Sequence, residues 1–330
     1  MDLRTDYLGL ELKNPLIVGA GPLTYNAEGI VKCAEAGAGA VVMKSLFEEE
    51  IRQQNAALSE TLNQQEGMHN EVYEYIRAGL EMRYGPRKYL QSLQDARKQV
   101  DIPVIASVNC VTEEWWTDFV QEVEAAGADA LELNIAVLPH TLKDSAEEIN
   151  SRYLRIVEEV MNNVNLPVAV KLSPYFTSVP DMLWSFQKYG ISGFVLFNRY
   201  FRSTVDIDSM KIVPGERMSS PADLCFTLRN LALFSGAFTA DFAAATGAYS
   251  GEDIIRALLT GANAVQVVSA LLKNGRDHIP VMLKEISDWM EKNGYTSPDQ
   301  FQGKMTQAQN PEAKLFTREQ YMNVLGSSLK

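Results

Sequence analysis

The sequence predicts a TIM-type (β/α)8 barrel, on three observations. A short unit recurs in which a helix-like stretch ends in Gly, a small residue follows, and four to six apolar residues then run to a polar one. Together with apolar runs of other entry, such strand-like segments number eight, and amphipathic stretches separate most of them. No Gly-x-Gly-x-x-Gly follows the first run, which disfavours the competing open doubly wound sheet.

In chain order the eight runs begin with Pro15-Leu-Ile-Val18 and Ala36-Gly-Ala-Gly-Ala-Val-Val-Met-Lys44. Ile102-Pro-Val-Ile-Ala-Ser-Val-Asn109, Ala126-Gly-Ala-Asp-Ala-Leu-Glu-Leu-Asn134 and Leu166-Pro-Val-Ala-Val-Lys171 follow. The last three are Gly190-Ile-Ser-Gly-Phe-Val-Leu-Phe-Asn198, Phe238-Thr-Ala-Asp-Phe-Ala-Ala-Ala245 and Thr260-Gly-Ala-Asn-Ala-Val-Gln-Val-Val-Ser269. Gly at a helix end supplies a left-handed cap, and an unbroken apolar run suits a parallel strand buried on both faces. Residues 113–126, 151–164 and 251–259 carry the helical period. A polar insert over 47–99 follows the second strand, of the kind that forms a lid or substrate wall, and a polar tail covers 293–330. The expectation is one domain over 1–330, with the barrel over about 1–292.

Composition narrows the function. A formal charge of −12 argues against nucleic acid and anionic membrane as partners, leaving a small-molecule substrate. The three cysteines, Cys33, Cys110 and Cys225, have no metal-ligand spacing and cannot build a disulfide framework, so no metal is expected and a reducing, cytoplasmic setting is. The first residues lack a signal-peptide pattern, and no stretch offers about twenty uninterrupted apolar residues.

In this architecture the residue closing each strand faces the reactive end of the barrel. Lys44, Asn109, Asn134, Lys171 and Asn198 hold those positions. A strand-end lysine is costly to bury unless an anion or electron-rich ring neutralises it, and asparagine offers both donor and acceptor to the edge of a planar heterocycle. Any one of them alone is more often a loop anchor than a ligand; five together point to a site. After the seventh strand, Thr246-Gly-Ala-Tyr-Ser-Gly251 opens a helix at Glu252, and Val268-Ser269 follows the eighth; these loops and a helix N-terminus form a phosphate cradle in many such barrels.

The segments Lys13-Asn-Pro-Leu-Ile-Val-Gly-Ala-Gly-Pro22, Val42-Met-Lys-Ser45, Leu131-Glu-Leu-Asn-Ile135, Val170-Lys-Leu-Ser-Pro-Tyr175 and Gly261-Ala-Asn-Ala-Val-Gln-Val267 complete a pattern. From Leu8 to about Lys304 the chain resembles the dihydroorotate dehydrogenase family, above all its soluble cysteine-dependent branch and the related FMN domain of dihydropyrimidine dehydrogenase. The resemblance implies FMN with its ring near Ala20, Gly21, Lys44, Ser45, Asn109, Asn134 and Lys171. It implies a phosphate near Thr246, Gly247, Ala248, Val268 and Ser269, with Ser219 and Ser220 where the family usually has a glycine pair. The implied reaction oxidises a carbon–carbon single bond, dihydroorotate to orotate in pyrimidine biosynthesis. Lys171 would hold charge on the reduced ring, Asn134 and Asn198 would orient substrate, and a homodimer is implied as well.

Two motifs depart from the family. Where its base stands in Asn-x-x-Cys-Pro-Asn, this chain has Asn134-Ile-Ala-Val-Leu-Pro139, and valine accepts no proton. Loss of a positioned base costs a factor of about 10² to 10⁴. The orotate-binding loop aligns with Ile76-Arg-Ala-Gly-Leu-Glu-Met82, without its asparagines. Cys110, His140, Thr141 and Tyr175 are the candidate replacements for the base, and Arg77, Arg83 and Arg87 could bind an anionic substrate. Three alternatives stay open: another activated double bond as substrate, a flavin-free aldolase or isomerase using Lys171 as a Schiff base, and a binding protein that keeps the cofactor without turnover.

Overall fold

The computed structural model describes residues 1–48, 85–112, 116–199 and 203–319, with backbone alone at Cys110 and at 116–118. Its strands are β1 (Thr5–Tyr7), β2 (Leu10–Leu12), β3 (Leu16–Val18), β4 (Ala40–Val42), β5 (Leu46–Phe47), β6 (Val104–Cys110) and β7 (Ala130–Ile135). They continue as β8 (Val168–Leu172), β9 (Gly193–Leu196), β10 (Ser203–Asp206), β11 (Lys211–Pro214), β12 (Asp241–Ala245) and β13 (Ala264–Val267). Parallel pairing runs β3, β4, β6, β7, β8, β9, β12, β13 and back to β3, so the sheet closes and each of the eight predicted runs supplies a stave. The short β5 runs beside β6 beyond the end of β4, pairing Leu46 with Val108.

Alternation along the staves divides the apolar residues in two. Val104, Ala106 and Val108 on β6, or Leu131, Leu133 and Ile135 on β7, pack outward against helices in the larger core. Ile105, Ala130, Ala169, Val195, Ala243 and Ala264 point into the barrel, where small side chains leave a hollow. The antiparallel β1–β2 hairpin fills its N-terminal end with Tyr7, Leu8 and Leu12. Gly193 is glycine because a Cβ there would lie 2.4 Å from Cδ2 of Leu8. Oδ2 of Asp241 anchors this plug by accepting from the Leu8 amide at 2.7 Å. Burial raises the Asp241 carboxyl above its ordinary range, and Asp6 adds to that rise. The Tyr7 hydroxyl is buried without a hydrogen-bond partner among the described residues, and burial pushes its pKa well above the usual tyrosine value.

The helices are α1 (Ala27–Glu35), α2 (Pro86–Arg97), α3 (Trp116–Ala125), α4 (Ala146–Met161), α5 (Val179–Gln187), α6 (Pro221–Phe234), α7 (Gly251–Leu259), α8 (Ser269–Asn274) and α9 (His278–Asn293). Asn26, Ser145, Ser178 and Ser250 cap their helices by accepting an amide of the first turn. The predicted glycine caps sit in the left-handed region, with φ of 104°, 91°, 82° and 102° at Gly37, Gly127, Gly190 and Gly261.

Two boundaries change. The insert read over 47–99 ends in α2, a regular barrel helix that buries Tyr89, Leu93 and Ala96, so its far end is narrower than the polar composition implied. The tail is packed through its described part. Phe301 and Ala313 are buried, and the amides of Gly303, Met305 and Gln307 donate to the carbonyls of Leu258, Leu259 and Ala232. The exposed β10–β11 hairpin was not predicted.

Candidate functional site

The mouth begins as a matter of parity. Asn109 pairs in register with Asn134, and Asn134 with Lys171, so three strand-end residues from neighbouring staves lie side by side at the C-terminal rim. Alternation puts Ser107 and Glu132 on the same inward side, two residues deeper. Asn198 Nδ2 donates to Asn134 Oδ1 at 2.8 Å, and the Asn198 amide donates to the Leu172 carbonyl at 2.7 Å, so the two amides bridge from β7 to the end of β9.

Lys171 lies across the barrel. Its ammonium donates to Gln266 Oε1 of β13 at 2.8 Å and lies 3.4 Å from Glu132 Oε1. Glu132 is 1% and Lys171 8% exposed. Gln266 Nε2 donates to the other Glu132 oxygen, and Ser107 Oγ to Oε1 at 3.4 Å. Ser45 Oγ meets Ser107 Oγ at 2.8 Å, which ties the loop after β4 to the same network. Tyr89 of α2 spans the gap between β4 and β5: its hydroxyl accepts from the Ser107 amide at 2.7 Å and donates to the Ser107 carbonyl at 3.1 Å.

The two lysines take different directions. Lys44 Nζ turns back to the Ser45 carbonyl at 3.4 Å and sits 5.5 Å from the centroid of the Phe47 ring, while Lys171 reaches inward. Glu48, fully buried, fixes the neighbouring loop by accepting from the amides of Val111 and Thr112 at 2.8 and 2.9 Å and from the Thr112 hydroxyl at 2.6 Å.

On the other side of the rim, Ser219, Gly247, Tyr249 and Ser269 form one knot. The Gly247 amide donates to Ser219 Oγ at 3.2 Å, the Ser219 amide to Ser269 Oγ at 3.0 Å, and the Tyr249 hydroxyl to the Ser219 carbonyl. Gly247 has φ of 89°, and a Cβ there would stand 2.5 Å from the Leu224 amide nitrogen and 2.8 Å from the Ser220 carbonyl oxygen. Ser220 caps α6 through a reciprocal box with Asp223. Ala20 borders the inward-facing core, and a Cβ on Gly21 would lie 3.1 Å from Cγ1 of Val268, so backbone forms this part of the floor.

One expectation is corrected here. The N-terminus of α7 is closed by the protein's own carboxylates: the Tyr249 and Ser250 amides donate to Asp253 Oδ2 at 2.9 and 3.1 Å, and the Gly251 amide to Glu285 Oε2 at 2.5 Å. A bound anion would therefore rest on the loops, where no described group accepts from the amides of Ala248, Ser269 and Ala270.

The dihydroorotate dehydrogenase family model matches residues 2–290. The chain belongs to that family. It is 25% identical over 307 residues to the catalytic subunit of dihydroorotate dehydrogenase B (NAD(+)) from Methanocaldococcus jannaschii, covering 89% of this chain and 95% of that protein. The corresponding subunit from Methanosarcina acetivorans is 28% identical over 298 residues, covering 87% and 91%. Chloroplastic dihydropyrimidine dehydrogenase (NADP(+)) of Arabidopsis thaliana is 22% identical over 344 residues, covering 96% and 80%.

Within this dihydroorotate dehydrogenase fold the base position is filled by Val137, 9% exposed and packed into the helix-side core. The stand-ins whose side chains are described, His140, Thr141 and Tyr175, are exposed. The His140 side chain is 81% exposed and lies 3.5 Å from Asp144, whose carboxyl is held below its usual range by the amides of His140 and Thr141. Thr141 is exposed in the same loop. Tyr175, also exposed, stands between a cleft of about 450 Å³ bordered by Phe197, Asn198, Arg199 and Phe226 and one of about 320 Å³ bordered by Val137, Leu138 and Phe176. Arg87 is exposed on α2, while the Cys110 side chain, Arg77, Arg83 and the 76–82 motif lie outside the described residues. Sequence reading overlooked Glu132, Ser107, Gln266 and Arg199. The signal for Glu132 is present, since a charged residue interrupts an apolar strand two places before Asn134.

Proposed function

We propose that this chain is an FMN-dependent oxidoreductase that acts on a carbon–carbon bond of a small planar substrate at the barrel mouth, with dihydroorotate the first candidate. One observation carries the reading: a buried ammonium, Lys171, set across the barrel beneath a rim of Asn109, Asn134 and Asn198, opposite a loop knot whose close approach requires glycine at 247. The residues fit FMN in kind. A small-residue floor at Ala20 and Gly21 leaves room for a ring, Lys171 supplies positive charge below it, and the amides of Ala248, Ser269 and Ala270 suit a phosphate.

FMN supplies the acceptor or donor of hydride when bound. This chain's residues do the rest. Lys171 holds positive charge where negative charge gathers on reduction, and Lys44 and Ser45 contribute at the neighbouring edge. Asn134 and Asn198, already hydrogen-bonded to each other, orient the substrate. Val137 neither holds nor moves a proton, so the proton that departs with the hydride passes to solvent or to another side chain at the mouth.

Val137 favours a second substrate reading within the same chemistry, an activated double bond that needs no Cys-like base. The flavin-free Schiff-base reading is disfavoured by Lys171, which donates to two acceptors in the interior in place of presenting a lone pair to the opening. The test is the visible spectrum of freshly purified protein followed by anaerobic titration. Oxidised-flavin absorption and one extractable FMN per chain are expected; a colourless protein that cannot be reconstituted overturns the reading. Bleaching by dihydroorotate assigns that substrate, and failure at millimolar concentration assigns another.

A further inference from the structure

The Glu132 carboxylate is buried beneath the mouth, and no step above uses it. Four groups converge on it or its partner. Gln266 donates to one oxygen, Ser107 donates to the other, and the Lys171 ammonium lies 3.4 Å from that second oxygen. From below, Tyr7 of the hairpin plug faces it as a neutral phenol, kept so by burial and by the nearby carboxylates. Placing a carboxylate in a barrel interior otherwise lined by apolar side chains is costly, and a lysine placed there alone would be costly too.

We infer that Glu132 is a positioning residue that acts through Lys171: it holds the lysine across the barrel axis and, as a built-in counter-ion, sets how much positive charge the mouth presents to a bound flavin. The inference rests on the FMN reading above. Gln266 and Ser107 fix the carboxylate, and Gln266 also accepts from the ammonium, so the distance between the two charges is set by four staves, β6, β7, β8 and β13, and not by a flexible rotamer. With the charge present, the lysine's field is partly cancelled. Without it, the same ammonium acts at full strength on any electron-rich ring above.

Sulfite reads this charge directly, because its addition to flavin N5 places negative charge on the pyrimidine edge of the ring. In flavin-loaded protein, Glu132→Gln keeps the shape and most hydrogen bonds and removes one negative charge. A unit charge within about 8 Å at an effective dielectric near 20 amounts to more than a tenfold change in an equilibrium constant, so the sulfite dissociation constant is expected to fall about tenfold or more. A purely structural role would shift the urea midpoint and leave sulfite affinity where it was. Should Glu132→Gln fail to fold, Glu132→Asp keeps the charge but draws it back by one methylene, and is expected to tighten sulfite by a smaller factor in the same direction. Wild-type protein that binds no flavin overturns the FMN reading and this inference with it. Flavin-loaded variants with unchanged sulfite affinity overturn this inference alone.

Discussion

The two halves of the rim are built differently. Around Ser219, Gly247 and Ser269 three loops are cross-bonded, helix ends are capped by Asp223 and Asp253, and a glycine is required by close packing. The loop after β7 shares only the helix cap, Ser145 on α4: Val137 faces the helix-side core, Leu138 and His140 are exposed, and the amides of His140 and Thr141 are gathered by Asp144 at the surface. The first half is where the family resemblance places the phosphate of a cofactor, and the second is where it places the proton acceptor. On that reading, phosphate binding and proton transfer rest on separate loops, so one can diverge while the other stays fixed.

The strongest test of this division is Lys171→Met. It strands Glu132 in the barrel and is expected to cost about 3–5 kcal/mol in urea unfolding, with most of that recovered by adding Glu132→Gln. No recovery would mean that the two side chains act independently. Gly247→Ala comes next. At φ of 89°, with Leu224 backbone 2.5 Å from the new carbon, strain of about 1–3 kcal/mol is expected together with at least tenfold weaker FMN retention in equilibrium dialysis.

A smaller effect is expected at the opposite end of the barrel. The raised Asp241 carboxyl favours folding in acid, and that contribution is lost as pH rises through its elevated folded value. Asp241→Asn keeps an acceptor for the Leu8 amide, so it should melt higher than wild type at neutral pH, with the gap closing on acidification. Smallest of all, His140→Ala should leave flavin reduction and melting temperature unchanged within error; a hundredfold loss of rate would restore this histidine as the base.

The staves were legible because a buried parallel strand after a glycine-capped helix leaves a dense local signature, and Gly37, Gly127, Gly190 and Gly261 all adopt the left-handed geometry it implies. Helix α2 was hidden by its composition, for it buries Tyr89, Leu93 and Ala96 while the rest of it is polar. At the site, strand ends told which residues reach the rim but not where long side chains go from there. Lys44 and Lys171 occupy equivalent strand-end positions, yet one folds back toward Phe47, three residues on, and the other finds Glu132 and Gln266, partners distant in sequence. At the α7 terminus the Ser250–Asp253 box is local and legible, but the contribution of Glu285 was not, since it comes from another helix.

The stopper formed by Tyr7 and Leu8 also bears on how the barrel is assembled. Its anchor, the Leu8 to Asp241 hydrogen bond, joins residues 233 positions apart, and Gly193, the surface on which Leu8 seats, is itself made late. A nascent chain therefore releases this hairpin before any of the staves and gives it a berth only after most of them have left the ribosome. Closure of the barrel floor is thus a late, long-range event in folding.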